Sequence, residues 1–177
     1  LVTALPGVYL LGDSIRFGAT GKTDRSPGYE PFVRAWLQSQ ARVYGPPENC
    51  RFTVYTPRYL HQWARDIPPE AVDVVHWNNG LWDVARFFGD EPLVPLEVYC
   101  GMLRRICGRI RLLFPRARVV FALSTPVVEA EAPAGMARRN GDIRRYNAAA
   151  AGVMAELGVE IDDLYTVAEA FGGRHRA

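Results

Sequence analysis

Residues 8–14 read Val-Tyr-Leu-Leu-Gly-Asp-Ser, an apolar run that passes directly into a polar turn. Four further short runs follow along the chain, at Arg42–Tyr44, Val72–Trp77, Arg118–Leu123 and Val159–Ile161. Runs of this length that are rich in β-branched and aromatic residues predict strands buried on both faces of a sheet. We therefore expect five strands, the first of which ends at a turn carrying Ser14.

Segments with helical spacing of apolar residues lie between these runs. The spacing predicts four helices, marked by Pro31–Gln38, by Leu60, Trp63, Ala64 and Ile67, by Tyr99, Leu103, Ile106, Ile110 and Leu113, and by Ile143, Tyr146, Ala150, Val153 and Leu157. Strands that alternate with helices indicate a parallel sheet built from right-handed crossovers. The predicted fold class is α/β, a three-layer α/β/α sandwich around a parallel five-stranded sheet. Its 177 residues suit one domain, 1–177, and the segment Glu129–Asp142 is predicted to be a loop.

The composition argues against several classes of protein. Its 21 basic and 19 acidic residues give a net charge of +2 and are scattered along the chain, so no nucleic-acid or anionic-membrane footprint is predicted. The arginine pairs at 104/105, 138/139 and 144/145 could bind an anionic partner, but are interpreted as solvated surface. No run approaches the roughly 20 apolar residues of a membrane span, so we expect a soluble protein.

The cysteines and the first residues indicate little about location. Cys50, Cys100 and Cys107 match neither a zinc site nor a disulfide framework, and no metal or cofactor is predicted. The sequence opens at Leu1 without a signal-peptide pattern. The compartment stays open with the cytoplasm slightly favoured, and the oligomeric state is not indicated.

Polar motifs follow three of the predicted strands. They are Gly12-Asp13-Ser14, residues 48–51 (Glu-Asn-Cys-Arg) and residues 78–80 (Asn-Asn-Gly). Because ligands of open parallel sheets bind at the carboxyl ends of the strands, these turns are expected to meet at one edge. A serine there can act as a nucleophile if a base accepts its proton and fixed donors stabilise an oxyanion. The alternatives are that Asp13 and Ser14 only cap a helix and that Asn79 only forms a turn.

Two of these motifs resemble blocks of the SGNH/GDSL hydrolases. Residues 11–15 (Leu-Gly-Asp-Ser-Ile) resemble the first block, and residues 78–83 (Asn-Asn-Gly-Leu-Trp-Asp) resemble the third block of a subgroup that reads Asn-x-Gly-Leu-x-Asp. Residues 145–147 and 161–165 resemble the later part of the family, so the similarity covers nearly the whole chain.

The resemblance implies a flavodoxin-like sheet and cleavage of carboxylic esters through an acyl-enzyme, without metal or cofactor. The implied substrates are small acyl esters or acetylated carbohydrate esters. Ser14 would be the nucleophile, and the Ser14 N–H, the Cys50 N–H and the Asn79 amide would form the oxyanion hole. Gly12, Asp13 and Gly80 would support the turns.

The sequence departs from the family pattern at three points. Cys50 stands where the second block usually has glycine, and Trp82 stands at the asparagine position of the usual third block, Gly-x-Asn-Asp. Asn79 is therefore taken as a substitute for that asparagine. The last block, Asp-x-x-His, is absent, since Gly172 precedes His175 by three residues, and we expect the chain to lack this C-terminal block. The catalytic histidine is not identified, and His61, His76 and His175 are interpreted as structural or incidental.

Two other functions remain open from sequence. One is a non-catalytic SGNH-like domain that binds a carbohydrate or small ester. The other is a flavodoxin-like nucleotide binder, which is disfavoured because the Gly12–Thr20 loop has too few glycines at phosphate-binding spacing.

Overall fold

The computed structural model describes residues 5–18, 27–88, 91–132 and 135–171. Its central feature is a parallel sheet with the strand order β2-β1-β3-β4-β5. The strands are β1 (Gly7–Leu11), β2 (Arg42–Tyr44), β3 (Val74–Trp77), β4 (Arg118–Ala122) and β5 (Glu160–Asp162). The predicted α/β sandwich with five parallel strands is confirmed.

Helices flank the sheet and connect its strands. They are α1 (Ser14–Phe17), α2 (Glu30–Leu37), α3 (Thr56–Trp63), α4 (Leu96–Leu113), α5 (Asn140–Leu157) and α6 (Leu164–Ala170), with single 3₁₀ turns at Pro69–Ala71 and Glu129–Glu131. The predicted loop 129–142 is therefore shorter than expected, since α5 begins at Asn140. Among the described helices none is long and apolar enough to cross a membrane.

The core forms where the apolar sides of the strands meet the two long helices. Leu103, Ile106 and Ile110 of α4 are fully buried, as are Trp77 and Phe121 of the central strands. Each large apolar side chain moved out of water contributes about 1.5–3 kcal/mol. The helical spacing seen in the sequence thus marks the face of α4 that packs into the core.

The register of the central strands aligns their carboxyl ends. Leu11 of β1 lies opposite Trp77 of β3, which lies opposite Phe121 of β4. The residues that follow these strands therefore emerge side by side. The Cys50 N–H donates to the Gly12 carbonyl at 3.1 Å and the Asn78 N–H donates to the Leu11 carbonyl at 2.9 Å, so the three polar turns do meet at one edge.

Candidate active site

Ser14 begins α1 directly after the first strand. The Asp13 carboxylate caps this helix by accepting the Ile15 N–H at 2.9 Å, and Asp13 is buried. Ser14 itself is partly exposed. Within the described residues neither its backbone N–H nor its hydroxyl has a hydrogen-bond partner, which leaves both groups available at the sheet edge.

Gly12 and Gly80 allow close approach of the chain at this edge. A Cβ on Gly12 would lie 3.1 Å from the Arg16 Cβ, and one on Gly80 would lie 2.1 Å from the Ser124 Oγ. The first distance requires a small shift, whereas the second is a clash with a buried residue. A side chain at position 80 would displace the buried Ser124 hydroxyl, because the turn after β3 passes close to the loop after β4.

The two asparagines of the turn after β3 point to opposite sides. Asn79 is fully buried, and its Nδ2 donates to the Arg51 carbonyl at 3.0 Å and to the Thr56 hydroxyl at 3.1 Å. Its Oδ1 accepts the Trp77 indole N–H at 2.7 Å. Both amide hydrogens of Asn79 are therefore used inside the protein, which differs from the oxyanion role expected from sequence.

Asn78, and not Asn79, is the asparagine of this turn that lines a cavity. Its side chain is only partly buried and its Nδ2 donates one hydrogen to the Ala122 carbonyl at 2.8 Å. Asn78 lines a cavity together with Gly12 and Asp13. A signal for this arrangement exists in the sequence, since side chains alternate along a strand and the parity of the buried Trp77 places Asn79 inside and Asn78 outside.

Cys50 also differs from its expected role. Its N–H is held by the Gly12 carbonyl, and its side chain is fully buried. Burial raises the pKa of the Cys50 thiol to about 12, so the group stays a neutral thiol at physiological pH. Cys50 fixes the loop after β2 (residues 45–55, the second loop) against the turn after β1 (residues 12–14, the first turn) and presents no free backbone donor.

Asp83 is a buried carboxyl that fixes the same loop from the other side. Its Oδ1 accepts the Thr53 N–H at 2.9 Å and the Thr53 hydroxyl at 2.6 Å, whereas its Oδ2 has no partner among the described residues. Burial raises its pKa to about 7, against the lowering effect of the Thr53 hydrogen bonds. Asp83 and Asn79 together hold residues 50–56 against the turn after β3.

Arg16 is a buried connection that the sequence did not reveal. Its guanidinium donates to the carbonyls of Gly12, at 3.2 Å, of Pro46, at 3.1 Å, and of Glu48. It also forms an ion pair with Glu30. The first turn, the second loop and the start of α2 are therefore joined through one side chain that is only 1% exposed.

Residues on either side of Ser14 line a small cavity, which we call the Ser14 cavity. Its volume of about 10 Å³ is room for about one water molecule or a group of similar size. The Thr125 hydroxyl, which lines it, is buried and has no hydrogen-bond partner in the described ranges. The lining residues come from the ends of four strands and the start of α2: Gly12, Asp13, Ile15, Arg16, Tyr29, Asn78, Leu81, Ala122, Leu123, Thr125 and Leu164.

The described histidines are not bonded to Ser14. The His76 Nε2 lies 2.9 Å from an Asp162 carboxylate oxygen, and its Nδ1 lies 3.5 Å from the Tyr29 hydroxyl. Burial raises the pKa of Tyr29, which keeps that hydroxyl neutral. His61 is exposed on α3. His175 lies outside the described residues, and within these no cluster of three or more His, Cys, Asp or Glu could hold a metal ion.

Comparison with known proteins identifies the family. Residues 10–177 match the model of the GDSL-like lipase/acylhydrolase family. The chain therefore belongs to this family of hydrolases, as the resemblance indicated. A search of the curated proteins found no match to the sequence.

Solved structures share the fold at low sequence identity. A lipase/acylhydrolase from Enterococcus faecalis is 16% identical with a TM-score of 0.71, over 96% of this chain and 81% of that chain. An acetyl xylan esterase is 16% identical with a TM-score of 0.70, over 94% of this chain and 81% of that one. An acetylxylan esterase from Geobacillus stearothermophilus is 19% identical with a TM-score of 0.61, over 97% and 87%. At these identities the likeness establishes the fold.

Proposed function

We propose that the protein is a serine esterase that cleaves short acyl esters, with Ser14 as nucleophile. The observation that carries this proposal is that the N–H and hydroxyl of Ser14 have no partner among the described residues, on a turn whose Asp13 and Ile15 line a small cavity together with Asn78. Membership of a hydrolase family and the two acetylxylan esterases among the similar structures support it.

The reaction would proceed in two steps. The Ser14 oxygen attacks the ester carbonyl carbon while a base takes its proton, and the tetrahedral intermediate expels the alcohol, which takes a proton back. Water then attacks the acyl-enzyme, releases the carboxylate and restores Ser14. The base would be an imidazole from outside the described residues.

The oxyanion would receive hydrogen bonds from the Ser14 N–H and from the Asn78 Nδ2. Asn78 replaces Asn79 in this proposal because only the Asn78 amide lines the cavity. One such donor is typically worth about 10²–10³ in kcat. The small cavity favours an acetyl group over longer acyl chains.

Hydrolysis of p-nitrophenyl acetate by this chain tests the proposal. Ser14→Ala is expected to lower kcat by about 10³-fold or more, since loss of a nucleophile removes the covalent route. Ser39→Ala, at an exposed position in the turn after α2, is the matched control and should leave the rate unchanged. Gln substitutions at His61, His76 and His175 determine whether any histidine of this sequence serves as the base.

A non-catalytic ester-binding domain is the second candidate. It is favoured by one observation, that the described residues offer Ser14 no imidazole. A chain that binds an acetylated sugar but neither hydrolyses p-nitrophenyl acetate nor reacts with a fluorophosphonate serine probe would be such a domain. Labelling that disappears in Ser14→Ala would favour the esterase.

A further inference from the structure

Helices α3 and α4 leave an open groove on the surface between them. It contains two adjoining cavities of about 280 and 390 Å³, which share His61 and Arg109 as lining residues. These volumes lie near the lower end of the range for small-molecule sites. None of the residues that line the groove also lines the Ser14 cavity.

The groove carries a concentration of unbalanced positive charge. Arg58, Arg105 and Arg109 line it, and no carboxylate of the described residues does. Within the described part of the chain, none of these three arginines has a salt bridge. Neighbouring positive charges without a counterion raise the local potential for an anion.

Two arginines outside the groove are paired with acids of α5. Arg104, adjacent to Arg105 on α4, pairs with Glu156 at 2.6 Å. Arg86 likewise pairs with Asp142 at 2.8 Å. The three groove arginines differ from these two in having no carboxylate partner among the described residues.

The groove arginines are oriented by their own contacts. The Arg109 Nη1 donates to the Pro57 carbonyl at 3.1 Å, and the Arg58 guanidinium carbon lies 5.1 Å from the centre of the Tyr59 ring. Each guanidinium has five N–H donors, so these contacts leave most of them available. The side chains are partly ordered before a ligand arrives, which lowers the entropy cost of binding.

Apolar residues form the rest of the groove. Met102 and Leu113 line its walls and are partly exposed, and Leu112 is 83% exposed at its rim. A simple inorganic anion would leave this apolar surface in contact with water. The composition of the groove therefore suits an occupant with a charged head and an apolar chain.

We propose that the α3–α4 groove binds an amphipathic anion, with its carboxylate or phosphate head on Arg58, Arg105 and Arg109 and its alkyl chain along Met102, Leu112 and Leu113. Arginine forms paired hydrogen bonds with both head groups. This site is separate from the Ser14 cavity and does not depend on the esterase activity.

Calorimetric titration of the chain at low salt tests this site. Octanoate and octyl phosphate distinguish the two head groups, and binding of either one supports the proposal. Octanol has only the alkyl chain, and inorganic phosphate has only the charged head. Each should bind at least about tenfold more weakly than the octyl anions, because each loses about 1.4 kcal/mol or more of contact. An equal affinity for octanol or for inorganic phosphate would overturn the proposal, as would no binding of either octyl ligand at millimolar concentration.

A charge-matched pair of variants locates the site. The double variant Arg58→Gln/Arg105→Gln should weaken binding by about tenfold or more, since two charged contacts are lost. The control Arg42→Gln/Arg65→Gln removes the same charge at two exposed positions outside the groove and should stay within about twofold, because distant charges are screened by salt. Equal losses in both variants would show that general attraction, and not the groove, holds the anion.

Discussion

The turn after β1 and the turn after β3 leave the same sheet edge, yet they use their polar groups differently. The first leaves the N–H and hydroxyl of Ser14 without a partner in the described residues. The second buries Asn79 and Asp83, and the Asn79 amide donates its hydrogen bonds to the loop 50–56. The difference indicates a division of roles. The second turn fixes the neighbouring loop through buried hydrogen bonds, and the Ser14 groups of the first turn stay available because that loop is fixed. Substitutions that remove the loop-fixing hydrogen bonds but keep the groups at the cavity, or the reverse, test this division.

Arg16→Gln should have the largest effect on stability. The variant loses a buried guanidinium that joins the first turn to the second loop and leaves Glu30 without its buried partner. Removal of one member of a buried ion pair typically costs about 3–5 kcal/mol. Urea unfolding followed by circular dichroism measures this change.

Arg34→Gln provides the control for that experiment. Arg34 pairs with the same Glu30, but its side chain is 44% exposed against 1% for Arg16. An exposed pair is typically worth about 1 kcal/mol or less. Equal costs for the two variants would mean that the buried hydrogen bonds of Arg16 do not stabilise the junction.

Alanine at the two asparagines should separate chemistry from stability. Asn78→Ala is expected to lower kcat by about 10²–10³ with little change in the free energy of unfolding, because it removes the proposed oxyanion donor. Asn79→Ala should lower the free energy of unfolding by about 3 kcal/mol, since it leaves buried partners unpaired. Kinetics on p-nitrophenyl acetate and urea unfolding of both variants measure the two effects. The assignment fails if Asn79→Ala slows hydrolysis as strongly as Asn78→Ala while remaining folded.

Much of the fold could be predicted from sequence, because apolar runs and helical spacing report burial directly. The same holds for Ser14, which directly follows a strand. The two adjacent asparagines were harder to place, since only their parity with the buried Trp77 predicts that Asn79 lies inside and Asn78 at the cavity. Arg16 could not be found, because nothing in its sequence neighbourhood predicts that a charged side chain will be buried among distant carbonyls.

Asp83→Asn should alter the dependence of stability on pH. Burial raises the carboxyl pKa from 3.8 in the unfolded chain to about 7 in the folded protein. The folded state then holds a proton that the unfolded state has lost, so this contribution is fully present below about pH 4 and disappears as the pH rises through about 7. The wild-type protein is expected to lose up to a few kcal/mol of stability between pH 5 and pH 8 from this group.

Urea unfolding at pH 5 and pH 8 measures that difference. In Asp83→Asn the uncharged amide does not titrate, while its oxygen can still accept from Thr53. The difference in the free energy of unfolding between pH 5 and pH 8 should therefore shrink. An unchanged difference would show that Asp83 does not cause the pH dependence. The result therefore measures how strongly burial in the turn after β3 disfavours the charged form of the Asp83 carboxyl.

Tyr55→Phe should have the smallest effect and tests the outer end of the second loop. The Tyr55 hydroxyl donates to one Glu48 carboxylate oxygen at 2.8 Å, and the Trp63 indole donates to the other at 3.0 Å. Loss of one such bond at the surface costs about 1 kcal/mol. Tyr59→Phe is the control, since Tyr59 stacks in the same aromatic column and its hydroxyl has no partner in the described residues.

The comparison with Arg16 decides how the second loop is held. The Glu48 backbone carbonyl accepts from Arg16, so one residue is fixed by its carbonyl on the inside and by its carboxylate on the outside. If the inner contact is the one that positions the loop, Tyr55→Phe will lower the free energy of unfolding slightly and leave kcat and KM unchanged. A fall in kcat for Tyr55→Phe but not for Tyr59→Phe would instead mean that the turn carrying Ser14 depends on the outer contact as well.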